Sequence, residues 1–215
     1  MPTDPGTNNL QELTPLITEN GQHRYFIVNK PYNIVSQFVS SHKVGLLGDL
    51  DFDFPEGTHA IGRLDNHSEG LLLLTTNKKI TKLLFEGEVK HKRVYLVQVK
   101  HHVSEDTLQL LRQGVSIIVK GGGDYITQPC EVEIVQDPGD YFNDTKPLML
   151  RPPYTWLLLT LTEGKFHQVR KMVAAVNHQC RRLIRVAIED LTLGDLPAGA
   201  VREVDEETFF GRLKI

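Results

Sequence analysis

The sequence has little cysteine and no long hydrophobic run, and both shortages narrow the classes of protein it can belong to. Cys130 and Cys180 are too few for a disulfide framework or for a four-ligand zinc site. The longest apolar runs, such as 71–74 and 157–159, are far too short to cross a bilayer. The first residues show no basic segment followed by an apolar one, so no secretory signal is visible. We therefore expect a soluble cytoplasmic protein.

Motifs for bound metal ions and for nucleotide cofactors are also missing. His101, His102, His167 and His178 do not stand at metal-ligand spacing with a cysteine or glutamate, so we expect no metal site. No G-x-G-x-x-G follows a strand and no G-x-x-x-x-G-K-[ST] occurs. Enzymes that bind nucleotide cofactors therefore lose support.

A strong net charge is absent as well, since 24 basic and 27 acidic residues give a net charge of −3. This balance alone gives no support for nucleic-acid binding. The basic residues are unevenly distributed, however: 78–100 holds seven of them, and 165–185 holds six with no acidic residue. Such clustering is typical of a protein that presents one basic face to phosphates. The alternative is two solvated surfaces on unrelated sides.

The arrangement of apolar residues predicts an α+β protein. Residues 1–23, rich in proline, glycine, threonine and asparagine, are expected to be a flexible leader, and 24–215 a single domain. Helices are predicted after the caps Asn77 and Ser104, ending at Gly87 and Gly114, and over 166–177. Strands are predicted at 25–29, 70–75, 92–99, 115–119, 130–135, 155–161 and 183–193. Because strands outnumber helices and most connections are short, the sheet is expected to be antiparallel or mixed.

The loop before the strand at 70–75 carries the first candidate for chemistry. It contains Arg63 and Asp65, and loops anchored by rigid strands are where reactive groups are usually held. Asp65 is the candidate nucleophile or general base, because a carboxylate fixed against a strand can attack an electrophilic carbon. The alternative is an ordinary turn, since Asp65, Asn66 and Ser68 are all good turn formers.

The start of the helix at 166–177 carries the second candidate. Arg170 stands next to a core position, so it can point inward along the edge of the core. A buried arginine needs a carboxylate partner, and Asp65 is the candidate. Lys165 and Lys171 lie near the helix start, where backbone N–H groups favour anions such as RNA phosphate. The alternative is a solvated helix face with ordinary basic residues.

Five motifs then follow one another along the chain. They are Lys30-Pro-Tyr, Gly62-Arg-Leu-Asp-Asn-His-Ser-Glu-Gly-Leu-Leu-Leu-Leu-Thr, Arg93-Val-Tyr-Leu-Val-Gln-Val, Gly164-Lys-Phe-His-Gln-Val-Arg-Lys-Met and Arg182-Leu-Ile-Arg-Val-Ala-Ile. In order and content they resemble the motifs of the ribosomal pseudouridine synthases of the RsuA type. Many relatives carry an N-terminal S4-type RNA-binding domain, which a leader of 23 residues is too short to form. The resemblance is therefore strongest to the shortened, large-subunit members of the family.

The resemblance implies a fold and a reaction. The fold is a mixed, mostly antiparallel sheet in two halves, flanked by helices, with a central catalytic cleft, so that 24–215 would be one catalytic domain of two subdomains. The reaction is the isomerisation of uridine to pseudouridine in ribosomal RNA without a cofactor. The resemblance favours 23S rRNA as the substrate. The uracil would be released, rotated and rejoined through its C5 carbon. A monomer is the default expectation.

The resemblance also implies roles for individual residues. Asp65 would be the nucleophile, paired with Arg170, while Tyr95 would lie against the uracil ring with its hydroxyl available for proton transfer. Leu183 would offer the base an apolar surface, and Arg63 would occupy the space that the flipped nucleotide vacates. For Tyr95 and Leu183 the alternative is plain core packing in strands. The further expected contacts with RNA are Lys30, Lys165, Lys171, Arg181 and Arg182.

Two other functions compete with this interpretation. The first is a ribosome-binding or assembly factor that keeps the fold and the basic face without catalysis. A cleft that contains an arginine–carboxylate pair would be of no use to such a protein. The second is a different aspartate enzyme, such as a glycosidase, which usually needs two carboxylates beside the bond that it cleaves. Glu69 is the only acidic residue near Asp65 in the sequence that could serve as the second.

Overall fold

The computed structural model describes residues 23–85, 89–142 and 153–215. The strands are β1 (Tyr25–Lys30), β2 (His59–Ile61), β3 (Glu69–Thr75), β4 (Arg93–Lys100), β5 (Ser116–Ile118), β6 (Asp124–Ile126), β7 (Glu131–Val135), β8 (Tyr154–Leu161), β9 (Cys180–Ile188), β10 (Leu191–Thr192) and β11 (Val201–Val204). The helices are α1 (Ile80–Phe85), α2 (Glu105–Gln113), α3 (Gln168–Ala175) and α4 (Glu206–Leu213). The predicted α+β class is confirmed.

Nine of the strands form one sheet, in the order β11-β1-β3-β9-β4-β8-β7, with β2 added to β3 and β10 added to β9. The strands β5 and β6 form a separate two-stranded ribbon. Among these strands, β3 and β9 pair in parallel, while the other pairs are antiparallel. The sheet is therefore mixed and mostly antiparallel, as predicted.

The parallel joint between β3 and β9 lies at the start of β3. There Glu69 is the register partner of Ile184, and Gly70 that of Arg185. Gly70 has φ +93°, and a Cβ atom built on it would lie 2.3 Å from the Arg185 carbonyl oxygen. A side chain at position 70 would thus push the two backbones apart. Glycine here lets the loop before β3 enter the sheet directly beside the middle of β9.

The buried leucines of β3 contribute to hydrophobic clusters on both faces of the sheet. Leu71 and Leu73 belong to the cluster that also contains Ile184, whereas Leu72 and Leu74 belong to another. Successive side chains of a strand point to opposite faces, so a run of four leucines fits a strand covered on both sides. This confirms the strand predicted at 70–75.

The end signals of α2 are also confirmed. The Ser104 hydroxyl accepts a hydrogen bond from the Thr107 backbone N–H at 3.2 Å, which makes Ser104 the N-cap. Gly114 ends the helix with φ 98°, a conformation that favours glycine. The other predicted end, Gly87, and most of the expected leader, 1–22, lie outside the described residues.

Several elements differ from those predicted. The strands β2, β6 and β11 and the helix α4 were not expected, and the strand expected at 183–193 is in fact β9 followed by β10. The turn between these two strands contains Glu189, with φ 47°. A local signal for α4 is nevertheless present in the sequence. Asp205 caps the helix by accepting a hydrogen bond from the Thr208 N–H at 2.8 Å, and acidic residues fill the first turn.

Candidate active site

A cleft of about 850 Å³ lies where the loop before β3, the loop before α3 and the strands β4 and β9 come together. Five residues that the sequence analysis singled out line this cleft: Arg63, Asp65, Tyr95, Lys165 and Leu183. They come from four separate segments, and the fold brings them to one place. The other five residues singled out, Lys30, Arg170, Lys171, Arg181 and Arg182, are not among those that line it.

The loop that carries Asp65 is held by hydrogen bonds on both sides. Asp65 itself accepts one through its carbonyl oxygen from the Ser68 N–H at 3.0 Å. The Ser36 hydroxyl and the Leu64 backbone bond each other twice, once in each direction and each time at 3.0 Å. Asn66 accepts a bond from the Asn33 N–H at 3.0 Å. The turn that the composition predicted is therefore present, and it fixes the position of Asp65.

The Asp65 carboxylate faces a histidine across the cleft. Its Oδ1 atom lies 3.5 Å from Nε2 of His167, and its side chain is 33% exposed. His167 is the residue before α3 and has φ 56°, which is uncommon for a residue with a side chain. Such backbone conformations cluster at functional sites. His167 lay within a recognised motif, but nothing in the sequence indicated that it would reach Asp65.

The predicted ion pair between Arg170 and Asp65 is not formed, which corrects the sequence interpretation. Arg170 Nη2 donates instead to the His67 carbonyl oxygen at 2.6 Å and to the Ser68 hydroxyl at 3.4 Å. Nη1 lies 3.6 Å from Sγ of Cys180, a thiol whose pKa is raised to about 11 by burial. Because carbonyl oxygens can satisfy a guanidinium, the arginine holds the loop of Asp65 without reaching its carboxylate.

Arg182 was expected to contact phosphate, and this expectation is wrong for the structure described. The residue is buried, with Nε 2.8 Å from Oε1 of Glu69 and Nη2 2.8 Å from Oε2. Its guanidinium also lies 5.0 Å from the centre of the Phe142 ring. On a strand, neighbouring side chains point to opposite faces, so Arg182 points away from the cleft that Leu183 lines. The pair links β3 to β9. Glu69, which the sequence analysis considered as a second carboxylate beside Asp65, is therefore bonded to Arg182.

Lys30 is not available to RNA either, because it is fully buried. Its Nζ atom donates to the carbonyl oxygens of Pro31 at 2.9 Å, Ile34 at 2.5 Å and Asn66 at 3.5 Å. Burial lowers the pKa of Lys30 to about 8, although the nearby carboxylates act in the opposite direction. The lysine therefore links the first motif to the loop of Asp65 by hydrogen bonds.

Tyr95 and Leu183 line the wall of the cleft formed by β4 and β9, together with two arginines that sequence reasoning missed. These are Arg93 and Arg185. Burial lowers the pKa of both guanidinium groups, while the charge of Tyr95 acts in the opposite direction on each. The alternation of side chains along a strand could have found Arg185, because Leu183 and Arg185 are two positions apart.

The remaining basic candidates lie at or near the surface. Lys165 is exposed, and its Nζ atom is 4.6 Å from the centre of the Tyr125 ring. Lys171 is half-buried, and its ammonium group donates to the Ile118 carbonyl oxygen at 2.7 Å. Arg181 is exposed. These three side chains keep charged groups on the outside, unlike Lys30 and Arg182.

The described ranges contain neither a metal-binding cluster nor a membrane-spanning helix. No group of three or more histidine, cysteine, aspartate or glutamate side chains there could hold a metal ion. None of the helices within 23–85, 89–142 and 153–215 is long and apolar enough to cross a bilayer.

Comparison with known proteins decides the family. The family described as RNA pseudouridylate synthase matches residues 24–175, which include all the motifs that line the cleft except the strand β9. The chain belongs to this family. It is therefore a pseudouridine synthase, an enzyme that isomerises uridine in RNA. The recognition made from the motifs is confirmed.

Three curated relatives of this synthase show how far the similarity extends. The ribosomal large subunit pseudouridine synthase E of Vibrio vulnificus is 36% identical over 85% of this chain and 76% of its own. The enzyme of the same name from Xanthomonas axonopodis pv. citri is 36% identical over 79% of this chain and 88% of its own. The ribosomal small subunit pseudouridine synthase A of Escherichia coli K12 is 30% identical over 90% and 75%.

Solved structures agree with this assignment. A crystal structure of a pseudouridylate synthase superposes with a TM-score of 0.71 at 27% identity, covering 89% of this chain and 74% of the other. One chain of a Cbf5-Nop10-Gar1 complex superposes with a TM-score of 0.51 at 12% identity, covering 79% of this chain and 50% of the other. The second likeness concerns the fold alone. The pseudouridine synthase fold predicted from the motifs is thus confirmed.

Proposed function

We propose that this synthase converts a uridine of 23S ribosomal RNA to pseudouridine, with the Asp65 carboxylate as the nucleophile. The reaction is an isomerisation, because the bond between N1 and C1′ breaks, a bond between C5 and C1′ forms, and one proton moves from C5 to N1. All atoms of the nucleotide are retained and no electrons are gained or lost. Side chains that attack, orient and transfer protons are sufficient for it, so we propose no cofactor.

The main support is the difference between two carboxylates that line the cleft, Asp65 and Glu163. Glu163 is fully engaged: Oε2 accepts a hydrogen bond from the Tyr125 hydroxyl, and Oε1 accepts from the Gln128 N–H at 2.9 Å and from Gln168 Nε2 at 2.7 Å. Asp65 faces His167 and the open cleft. A nucleophile needs free lone pairs, so Asp65 fits that role and Glu163 does not.

The same difference argues against a glycosidase. Such an enzyme needs a second carboxyl group free to act as an acid or a base. Glu163 is held by three donors, and Glu69 is buried against Arg182. Neither carboxylate can change its position without losing these bonds. The geometry therefore supports attack by a single carboxylate.

The other cleft residues fit the binding of one extruded uridine. Leu183 offers an apolar surface, and Tyr95 on the neighbouring strand can lie against the uracil with its hydroxyl near the ring. Arg63 is exposed at the rim, so it can occupy the space that the base leaves in the RNA. A base stacked within a helix could not enter a cleft of this kind, and extrusion brings it to Asp65.

The proposed grip on RNA involves the exposed basic side chains around the cleft. Lys165 lines it, and Lys171 and Arg181 lie on the same helix–strand segment. Lys78, Lys79 and Lys82 are exposed beside Thr81, which also lines the cleft. Phosphate binding by such groups is independent of sequence. The choice of 23S rRNA rests on the relatives, since those 36% identical carry large-subunit names and the small-subunit relative is 30% identical.

The test is to map pseudouridine in 23S rRNA incubated with the purified enzyme and with the Asp65→Asn variant. The amide keeps the shape of the side chain but lacks the negative charge, so conversion should fall by at least about 10³-fold while thermal stability and RNA binding stay unchanged. Asp195→Asn, which removes an exposed carboxylate paired with Arg202, is the matched control and should retain full activity.

Each competing function predicts another result. Substantial conversion by the Asp65→Asn variant would rule out Asp65 as the nucleophile. If the protein were an assembly factor, the wild type would bind the RNA but would form no pseudouridine. Conversion of 16S rRNA but not of 23S rRNA would keep the chemistry and replace the substrate.

A further inference from the structure

Arg185 lines the wall of the cleft formed by β4 and β9, yet no role for it followed from the motifs. On one side its register partner is Gly70 in β3, and on the other side it is Tyr95 in β4. The pairing of β4 with β9 is irregular between Val94 and Tyr95, where one residue of β9 is skipped. Such bulges re-aim a side chain and are common next to active sites. The bulge places Tyr95 directly opposite Arg185.

The guanidinium of Arg185 is buried and only partly satisfied. The residue is 2% exposed, and Nε donates to the Leu71 carbonyl oxygen at 2.7 Å. Nη2 is a buried atom without a hydrogen-bond partner among the described residues. An unpaired buried donor is costly, and such groups are rare in folded proteins. A buried charge with a free donor beside a substrate cleft therefore requires an explanation.

The charged groups around the Tyr95 hydroxyl explain why Arg185 keeps an unpaired donor. Burial lowers the pKa of Arg185, while the charge and the hydrogen bond of Tyr95 act to raise it and Arg93 acts to lower it. The Tyr95 oxygen thus lies close to two guanidinium groups, from Arg93 and from Arg185. Other charged groups near Arg185 are Lys30 and, through Lys30, the carboxylates of Asp65 and Glu69. The immediate surroundings of the tyrosine oxygen therefore include two positively charged groups.

We propose that Arg185 is a positioning residue that holds the Tyr95 hydroxyl at the uracil and stabilises the negative charge on its oxygen while the C5 proton is removed. This rests on the proposed function, because it concerns a step of the same reaction. Nε fixes the guanidinium to β3, so that the Nη groups are preorganised for Tyr95 and need not reorient during the reaction. Nη2 is the donor kept for the oxygen that becomes charged.

The step balances in atoms and electrons. Tyr95 first releases its hydroxyl proton to solvent. After the new bond between C5 and C1′ has formed, the C5–H bond breaks, its electron pair restores the double bond between C5 and C6, and its proton passes to the Tyr95 oxygen. Water gives a proton to N1 of the uracil. The tyrosine is neutral again at the end, and nothing is oxidised or reduced.

The first experiment compares Arg185→Lys with the wild type on 23S rRNA transcripts that carry either hydrogen or deuterium at C5 of uridine. Lysine keeps the charge but cannot bond both Leu71 and Tyr95, since it lacks the planar fork. We expect kcat to fall by about 10²-fold to 10³-fold with KM unchanged, the loss that follows removal of one preorganised donor. The deuterium isotope effect on kcat should increase, because C5 deprotonation becomes slower than the other steps.

The matched control is Arg182→Lys, which alters the other buried arginine of β9; it adjoins Leu183 in the sequence and lies on the opposite face of the strand. Its effect on thermal unfolding should be similar or larger, yet kcat and the isotope effect should remain those of the wild type. A purely structural role for Arg185 predicts that both variants behave alike. An unchanged isotope effect in an active Arg185→Lys enzyme would overturn the proposal.

A second measurement applies if Arg185→Lys fails to fold. In the intact enzyme with nitrogen-15-labelled arginine, Tyr95→Phe should shift the guanidinium NMR signals of Arg185 and leave those of Arg182 in place. Unmoved Arg185 signals would also overturn the proposal. The failure of the proposed function looks different, because the wild type itself would then form no pseudouridine from either transcript.

Discussion

Asp65 and Glu69 are four residues apart in one loop–strand segment, and the structure treats the two carboxylates in opposite ways. Glu69 is buried and receives two hydrogen bonds from Arg182, both at 2.8 Å. Asp65 is one-third exposed, and its Oδ1 atom lies 3.5 Å from Nε2 of His167. One carboxylate is closed off by the fold, and the other stays open to the cleft.

The difference shows how the chain separates charge used for structure from charge available for chemistry. The buried pair joins β3 to β9, the strands whose parallel contact brings the loop of Asp65 beside Arg185. The open carboxylate keeps free lone pairs because the cations around it are bonded elsewhere: Arg170 to carbonyl and hydroxyl oxygens of the loop, and Lys30 to carbonyl oxygens beneath it. These cations position the backbone of the loop and leave the carboxylate of Asp65 to the substrate.

Removing one member of the buried pair should have the largest effect on stability. Arg182→Met leaves the Glu69 charge buried without its partner, so we expect a loss of about 3–5 kcal/mol in the free energy of unfolding, measured in urea. Arg182→Met combined with Glu69→Gln should recover part of this loss, because a neutral amide needs no counter-charge. Asp65→Asn, made on the open carboxylate, should change the stability by less than about 1 kcal/mol. An Asp65→Asn loss equal to that of Arg182→Met would remove the distinction between the two carboxylates.

Lys30 gives the next effect, which depends on pH. Its pKa is lowered by burial from the ordinary 10.5 to about 8. Between these two values the unfolded chain binds more protons than the folded chain, so the free energy of unfolding rises with pH. Relative to Lys30→Met, which does not titrate there, the wild type should gain about 3 kcal/mol from pH 8 to pH 10.5.

The measurement is urea unfolding of both proteins at pH 7, 9 and 10.5. Taking the difference between them cancels the titration of all shared groups. A difference that stays constant over this range would mean that Lys30 is hydrated in the folded protein. Lys30 would then belong with the solvent-accessible charged groups, such as Asp65, and not with the buried ones.

Much of the sheet was predictable from the sequence, because apolar runs such as the four leucines at 71–74 record burial directly. The strands β2 and β11 were not, since they are short and partly exposed, and long-range pairing decides their conformation. The helix α4 could have been predicted from Asp205 as an N-cap followed by two glutamates.

The members of the site were predictable to the extent that local geometry decides them. Strand alternation excludes Arg182 from the face of Leu183 and brings Arg185 onto it, so the misplacement of Arg182 was avoidable. The choice that Arg170 makes between the Asp65 carboxylate and the His67 carbonyl oxygen is different. It depends on the exact distances between segments more than 100 residues apart, and no sequence pattern records such distances.

A double-mutant cycle between Arg170 and Asp65 examines that choice. Arg170→Met removes the bonds to His67 and Ser68, so the loop loses an anchor and stability should fall by about 1–3 kcal/mol. Because the guanidinium does not bond the carboxylate, adding Asp65→Asn should give a nearly additive result, within about 0.5 kcal/mol. Thermal and urea unfolding of the four proteins provide the values. A coupling of several kcal/mol would mean that the two side chains pair in solution.

The smallest effect concerns two neighbouring arginines, the exposed Arg181 and the buried Arg182. If Arg181 contacts phosphate, Arg181→Gln should reduce the slope of log K against log salt by about 0.7–0.9, the value for one contact. Lys165→Gln should do the same, and the two changes together should add. Arg202→Gln removes an exposed arginine that pairs with Asp195 and does not line the cleft, so it should leave the slope unchanged. The slopes are obtained from the binding of 23S rRNA fragments at salt concentrations from about 50 to about 200 mM.

The buried arginine should behave differently. Arg182→Lys should weaken the fold, while its slope of log K against log salt should equal that of the wild type. Equal slopes for Arg181→Gln and the wild type would show that this exposed charge faces solvent and that the RNA approaches from the side of Lys165.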